Sequence, residues 1–519
     1  MRSACHWLRA SLVVAVVALP GSTAHAGAFY LPDPGIVAQG RGGAYVATAN
    51  ELTGAFYNPA GLHQIDGLYI HLAAGWALAD LEFERAGGRG MYKPFREGED
   101  PSDPDDIETM LARPFDPVVN SGSSFIPEVG IAYGLEKPDL TFGFAWYAPY
   151  AMPNEWPEDG PQRYASIWSS SWQLHFSLFV SAKLAPWLAV GLTGGVILLR
   201  SRLSVKATAH VLADESVGLV HNDENPLYDL DIFIDAWQRG KPWFNAGVML
   251  MPAPWMRIGL GFAPGFRMRA DAELTMNAEI EVWEDVALVI DTADQIELEA
   301  DLPPIIRGGV AIVPRDGLEF ELDVHAELWS RVGASVLRDV GVDLTDLNDQ
   351  IAALAPSFSD EIAAALGEGV GDEWAGPDGN GVVEIPREFR DTVSIRFGAE
   401  ARLQPWLRVR GGCMFENGAI LDNQHSPSNP DVDKFAVSLG ASVGPPGLDL
   451  HLAWTHFFRD TVTVRNGTDH QFTALAGIAA NNTNDGTYTS SADIIGFALT
   501  IQPEMIHEAA KKLRSPFGF

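Results

Sequence analysis

The chain is poor in cysteine, poor in positive charge, and has no apolar run long enough to cross a membrane as a helix. Of its 519 residues only Cys5 and Cys413 are cysteine. Cys5 precedes the apolar run of a leader, so it cannot be the acylated cysteine of a lipoprotein. Cys413 is then alone in the mature chain, which excludes an intramolecular disulfide and a cysteine-based zinc site. It reads as a small packing residue. Lys and Arg number 35 against 68 Asp and Glu, a formal net charge of −33. A surface so short of cations does not suit phosphate, so nucleic acid is excluded as a partner. No stretch reaches the ~20 apolar residues of a helical span. Hydrophobic residues still make up 47% of the chain, so this is not a disordered acidic polymer.

Residues 1–26 read as an export signal. Arg2 and Arg9 give the positive start, Ser11 to Leu19 the apolar run, and Pro20 and Gly21 its break. Ala24-His25-Ala26 offers a small-x-small site, with cleavage expected after Ala26.

From Asp66 onward one pattern repeats. Leu318 to Trp329 places Leu318, Phe320, Leu322, Val324, Ala326 and Leu328 on one side. Glu319, Glu321, Asp323, His325 and Glu327 fall on the other, as a strand of period 2 requires. Val393–Leu403, Leu407–Glu416 and Leu448–Trp454 alternate likewise. Such strands suit a soluble sandwich with its apolar face inward, or an outer-membrane barrel with that face toward lipid. The connections separate the two. Short proline turns lie at 136–139, 184–187, 252–255, 314–317, 403–406 and 444–447. Three carry a Pro-Trp pair, as an interfacial aromatic girdle needs. Long acidic connections fall between them, near 85–120, 150–162, 206–240, 272–299, 331–388, 418–432 and 465–489. Short turns on one side and long loops on the other predict a transmembrane antiparallel β-barrel.

The expected strands are 66–84, 122–135, 139–149, 164–184, 187–205, 241–252, 255–271, 301–313, 317–330, 390–403, 406–417, 433–443, 447–464 and 491–502. That is fourteen, an even number, in an all-β fold. Within the long loops, Val336 to Leu366 has helical spacing. Asp378-Gly379-Asn380-Gly381 with Glu384 reads as a glycine-rich turn, since EF-hand spacing for calcium is missing. Residues 503–519 form an extension past the last strand, with a short helix expected over Glu504 to Leu513.

Before the first strand lies a glycine- and alanine-rich stretch, Gly35 to Leu62, closing on Asn58-Pro59-Ala60-Gly61-Leu62. No Gly-Lys-Ser/Thr follows, so a phosphate-cradling loop is excluded. Residues 27–65 read as a plug, or hatch, inside the barrel formed by 66–502. Asn58 can cap a turn and bond the lumen wall, and Pro59 fixes where plug gives way to strand.

Gly40-x-Gly42-Gly43-Ala44 through Asn58-Pro59-Ala60-Gly61-Leu62 resembles the N-terminal region of the FadL-type long-chain fatty-acid and aromatic-hydrocarbon outer-membrane transporters (OmpP1/FadL/TodX). Leu302-Pro303-Pro304 leading to Arg307-Gly308-Gly309-Val310, and Ile395 to Glu400 followed by Leu407 to Gly412, are similar to that family too. The resemblance implies a monomeric barrel in a Gram-negative outer membrane, in contact with its lipid and lipopolysaccharide. It implies uptake of hydrophobic small molecules, with a hatch of Asn58, Pro59, Ala60 and Gly61 that shifts on ligand binding. Ligand would leave sideways near the third strand. That strand offers Gly143, Ala145 and Tyr147 on its lumen side, and Pro149, which removes a ladder donor. Arg396, Arg402, Arg408 and Arg410 stand on polar strand faces beside an acidic row. They pair with that row and the hatch, or alternatively meet a ligand carboxylate.

No cofactor or metal is expected. An outer-membrane lipid hydrolase is the enzymatic alternative, but His175, His325, His451 and His456 lack a Gly-x-Ser-x-Gly elbow. A general porin is the structural alternative, and a soluble adhesin the binding one. The ligand itself, fatty acid, alkane or aromatic, is not named by the sequence.

Overall fold

A computed structural model describes residues 34–87, 103–208, 229–283, 286–343, 345–354, 373–374, 380–385, 388–428, 431–468 and 482–507, with Lys93, Arg96 and 98–100 besides. The expected leader, residues 27–33 of the expected hatch and residues 508–519 of the C-terminal extension lie outside these residues, as do Asp378 and Ile362. The strands in chain order are β1 (Gly67–Arg85), β2 (Val118–Leu135), β3 (Leu140–Glu155), β4 (Trp168–Ala185), β5 (Leu188–Thr208), β6 (Asp229–Ala253) and β7 (Met256–Ala263). Then come β8 (Phe266–Trp283), β9 (Val286–Leu302), β10 (Ile305–Arg315), β11 (Leu318–Glu327), β12 (Ser335–Arg338), β13 (Val342–Asp343), β14 (Glu373–Trp374) and β15 (Val382–Ile385). The last are β16 (Thr392–Gln404), β17 (Leu407–Glu416), β18 (Lys434–Val443), β19 (Leu448–Arg459), β20 (Val462–Val464) and β21 (Gly486–Ile501).

Fourteen of these, among the described residues, close a ring. Antiparallel ladders run β1 to β7, on to β10, β11, β16, β17, β18, β19 and β21, and back to β1. Closure leaves the ring no free edge, which lipid would not tolerate. β11, β17 and β18 have ten residues each, enough for a tilted crossing.

Burial decides between barrel and sandwich. Along β11, Glu321, Asp323, His325 and Glu327 are buried, whereas Leu322 and Val324 are 50% and 45% exposed. The polar row is the inside. Leu192, Phe244, Leu260, Ile395, Leu439 and Leu452 also face out, so an apolar band surrounds a polar, filled interior. At the short-turn rim, Trp187, Trp255 and Trp406 are all exposed.

The stretch 272–299, expected as a loop, is not one. β6 is 25 residues long, and its outer half, Asp231–Trp237, pairs with Asn277–Asp271 of β8. β8 and β9 form a hairpin, β12 adds to β9, and β15 adds to β12. This sheet stands above the wall at the long-loop side. Its joints are Pro264-Gly265 and Pro303-Pro304, where proline removes ladder donors. The expected strand 255–271 is therefore two, β7 in the wall and the start of β8 above it. Of the segment with helical spacing, Thr345–Leu354 is helical, but Ser335–Arg338 is strand. After the barrel, residues 503–507 form a helical turn, and Glu504 accepts from Leu68 N at 3.1 Å.

Candidate functional site: a hatch seated in the wall

The hatch is built from short turns because its sequence offers no long periodic face. Gly35 adopts φ 107°, which suits glycine, and starts the helical turn Ile36–Gln39. A second turn, Gly54–Tyr57, leads to Asn58. The Asn58 side chain accepts from Ala60 N at 3.1 Å and so caps the 3-10 turn Pro59–Gln64. Its amide donates to Val46 O at 2.9 Å and to Val248 O of β6 at 3.1 Å. Pro59 fits the first position of that turn, where a missing N–H costs nothing. Asn58, Pro59, Ala60 and Gly61 are all buried. A Cβ added at Gly61 would stand 2.6 Å from that of Ala49.

Three carboxylates of β11 hold the middle of the hatch. Asp323 Oδ2 accepts from Tyr45 N at 2.6 Å and from Val46 N at 2.9 Å. Glu321 Oε1 accepts from Ala47 N at 2.6 Å and from Thr48 N at 3.3 Å. Arg41 lies 2.8 Å from both Glu319 and Glu321, and Glu319 also accepts from Arg257. Backbone N–H groups exposed by an irregular loop must find partners when buried, and here the wall supplies acceptors in register. On the far side Asn245 donates to Ala55 O and Phe56 O, both at 2.9 Å. Arg307 donates to Phe56 O at 3.0 Å, and its guanidinium lies 4.2 Å from the Phe56 ring centre.

The wall also makes room. A Cβ at Gly259 would come within 2.1 Å of Val46 O, and one at Gly412 within 2.2 Å of the Arg41 carbonyl carbon. Gly191 and Gly247 seat Pro59 and Asn58 in the same way. Around the hatch, Leu52, Phe56, Tyr57 and Leu62 pack with Tyr147, Phe179, Ile197 and Trp243 as one buried cluster. Burial pushes the Glu51 carboxyl upward and the His63 imidazole downward.

Beside the hatch the wall is uneven. β2 and β3 pair from Leu135↔Leu140 up to Glu128↔Tyr147 and no further, although both strands continue. β3 and β4 shift register between Tyr147 and Tyr150, so Pro149 sits in an irregularity and does not end the strand. Beyond it the two strands meet again through side chains: Asn120 donates to Asn154 at 2.9 Å and accepts from Glu155 N at 3.0 Å. Ala145 and Tyr147 are buried on the lumen side, with Tyr147 stacked on His175 and 6.0 Å from Phe56. A Cβ at Gly143 would stand 2.5 Å from the Phe179 ring and 2.4 Å from Ile131 O.

The four arginines do not form one site. Arg396 bonds Ser394 at 2.9 Å and lies 3.3 Å from Glu416. Arg408 pairs with Asp449 at 2.6 Å. Arg410 bonds Glu400 and Ser442, both at 2.6 Å. Arg402 stands apart at the short-turn rim, half exposed, 3.8 Å from Asp316.

Reading the sequence missed Glu128, Asn245, Arg257 and Arg307 as hatch contacts. It also missed the seating glycines. Their signal was present: glycine is unfavourable inside a strand unless another backbone comes close. Gly259, Gly309 and Gly412 interrupt otherwise good strands on the lumen side.

No curated protein matches the sequence. Solved structures do match in fold. A Pseudomonas aeruginosa FadL homologue superposes with a TM-score of 0.67 at 15% identity, over 92% of this chain and 99% of that one. The Pseudomonas putida toluene transporter TodX gives 0.58 at 12%, over 91% and 98%. The Ralstonia pickettii toluene transporter TbuX gives 0.55 at 13%, over 91% and 99%. Residues 16–502 match the family described as outer membrane protein transport protein (OMPP1/FadL/TodX). With that match covering both hatch and wall, the chain belongs to the OmpP1/FadL/TodX family of outer-membrane transport proteins.

Proposed function

We propose that this protein takes up hydrophobic compounds, long-chain fatty acids or hydrocarbons, and releases them sideways into the outer membrane. The observation that carries this reading is the contrast between a filled lumen and an interrupted wall. The hatch is packed against wall glycines and bonded on several sides, so a polar solute has no wide channel. A solute that prefers lipid can instead leave where β2 and β3 stop pairing. The residues there suit it: Ala145, Tyr147 and Phe179 line the inside, and Phe125 and Phe142 the outside. Asn58, Pro59, Ala60 and Gly61 act in this reading as the fixed base of the hatch. Gly143, Ala145, Tyr147 and Pro149 form the exit. Arg396, Arg408 and Arg410, each already paired with a wall carboxylate, brace the lumen rather than bind a ligand. Related folds are described as toluene transporters and as a monoaromatic hydrocarbon channel, which agrees with an apolar cargo.

The test is uptake of a labelled fatty acid and of labelled toluene by cells expressing Gly143→Trp. Heat-modifiable gel mobility checks that the barrel still folds. Uptake should fall at least tenfold at equal barrel yield. Unchanged uptake sinks the sideways route. A wide steady conductance in planar bilayers would favour a general porin instead.

A further inference from the structure

The hatch is fastened unequally. Its middle, Tyr45 to Thr48, rests on two β11 carboxylates through four backbone N–H groups. Its first turn, Ile36–Gln39, is bonded to the wall, among the described residues, at two points. Gln39 donates to Ile494 O at 2.9 Å, and Gly35 N donates to Glu128 Oε1 at 2.5 Å. Two small cavities of about 20 Å³ flank this turn. One is lined by Pro34, Gly35, Ile36, Gly75, Ile126 and Glu128 among others, the second by Gly42, Tyr57, Met414 and Phe457 among others, and Gln39 borders both. A small cavity and fewer wall hydrogen bonds therefore coincide at the start of the hatch, whose Ile36, Val37 and Ala38 are held mainly by apolar packing.

Glu128 has a second position of interest. It is the last residue of β2 that pairs with β3, opposite Tyr147. It is buried, and its Oε2 lies 3.7 Å from His71 Nε2 of β1. His71 Nδ1 is 3.5 Å from the Thr500 hydroxyl, which is 3.0 Å from His451 Nε2, itself 4.0 Å from Glu51 of the hatch. One carboxylate thus touches the start of the plug, the edge of the wall interruption, and a polar chain that crosses β1, β21 and β19.

We infer that Glu128 is a positioning residue for transport: it couples the first turn of the hatch to the β2 edge of the exit. When cargo displaces Ile36–Gln39, the Gly35 N–H leaves Glu128. The carboxylate can then re-aim toward His71, and the edge of β2 loses the brace that holds it opposite Tyr147. The middle of the hatch stays seated throughout. This inference rests on the sideways route proposed above.

The experiment uses the full-length barrel in a Cys413→Ser background, so that introduced thiols report alone. Ile36→Cys reports the first turn by its rate of labelling, and Ala47→Cys reports the clamped middle. A spin-label pair at Phe125→Cys and Trp146→Cys reports the width of the exit. Glu128→Ala should raise labelling at position 36 about tenfold, leave position 47 unchanged, and broaden the spin-label distance distribution. Glu128→Gln keeps an acceptor and should give about a threefold rise, which preserves the test if the alanine variant does not fold. Labelling at 36 that does not change, or a freed turn with an unaltered exit, overturns the coupling. Failure of the route itself reads differently: Gly143→Trp would then leave uptake intact whatever Glu128 does.

Discussion

β6 runs through two regions of the sheet with opposite rules. In its inner half, Phe244 faces out and is half exposed, while Asn245, Gly247 and Met249 face the lumen. In its outer half, Leu230, Ile232 and Ala236 turn inward, and Asp231 is exposed. β8 continues the second rule: Met268, Ala270, Ala272, Leu274 and Met276 are buried, and Arg267, Arg269, Asp271 and Glu273 are exposed. Period 2 is the same in both regions. What differs is the solvent outside. Lipid selects apolar side chains for the outer face of the wall, and water selects charged ones for the outer face of the sheet above it. The alternation of a strand thus names its two faces but not which one is inside.

The largest effect should come from violating the wall rule. Leu322→Arg puts a charge at mid-strand on the lipid face, and should destabilise the barrel by about 2–4 kcal/mol. Urea unfolding in a bilayer would measure this. The same change at Asp271, already exposed beside charged neighbours, should be nearly silent.

Next come truncations that separate the regions. Leu274→Ala empties an apolar site in the upper sheet and should cost about 2–3 kcal/mol locally. Increased proteolysis of the β8–β9 hairpin would report it. Leu322→Ala should cost much less, because lipid tails replace the lost contacts. Equal costs at the two sites would mean that the upper sheet also contacts lipid.

The hatch seats should respond in function as well as in stability. Asp323→Ala leaves the Tyr45 and Val46 N–H groups without their acceptor, a penalty of about 1–3 kcal/mol for each buried group left unpaired. Conductance noise in planar bilayers should rise. Gly259→Val, which collides with Val46 O, should act in the same direction.

The effect confined to the smallest region is a pH dependence at the outer rim. Burial pushes Asp431 up to about 7 from 3.8. The fold therefore favours the protonated form. Its contribution to stability is full below the unfolded value and is lost as pH rises through about 7. The connection after β17 should loosen on going from about pH 4 to pH 8, and Asp431→Asn should flatten that slope, as limited proteolysis would show.

Much of the wall was legible because period 2 and proline-marked turns are local signals. Val393, Ile395 and Phe397 could be placed on one face from the sequence alone. The β8–β9 sheet was hidden for a physical reason. Its charged outer face made it look like an acidic loop, and β7 is only eight residues long, so the wall strand and its successor merged. Arg402 shows a further limit. Alternation put it on the lumen row, but its place near the strand end carries it out to the rim. The seats of the hatch needed three dimensions. Asn58 could be read as a cap, yet that its amide reaches Val248, 190 residues away, follows only from closure of the ring.

That separation has a consequence for how the molecule is made. The hatch leaves the export channel before any wall strand. Its seats lie on strands from β2 to β21, and Gln39 bonds a carbonyl 455 residues later. The earliest-exported segment therefore cannot reach its native place until the final strand has closed the cylinder. Until then its glycine-rich loop, with Arg41 and Glu51 still unpaired with the wall, must wait in the periplasm, where escort by a chaperone and attack by a protease would compete for it.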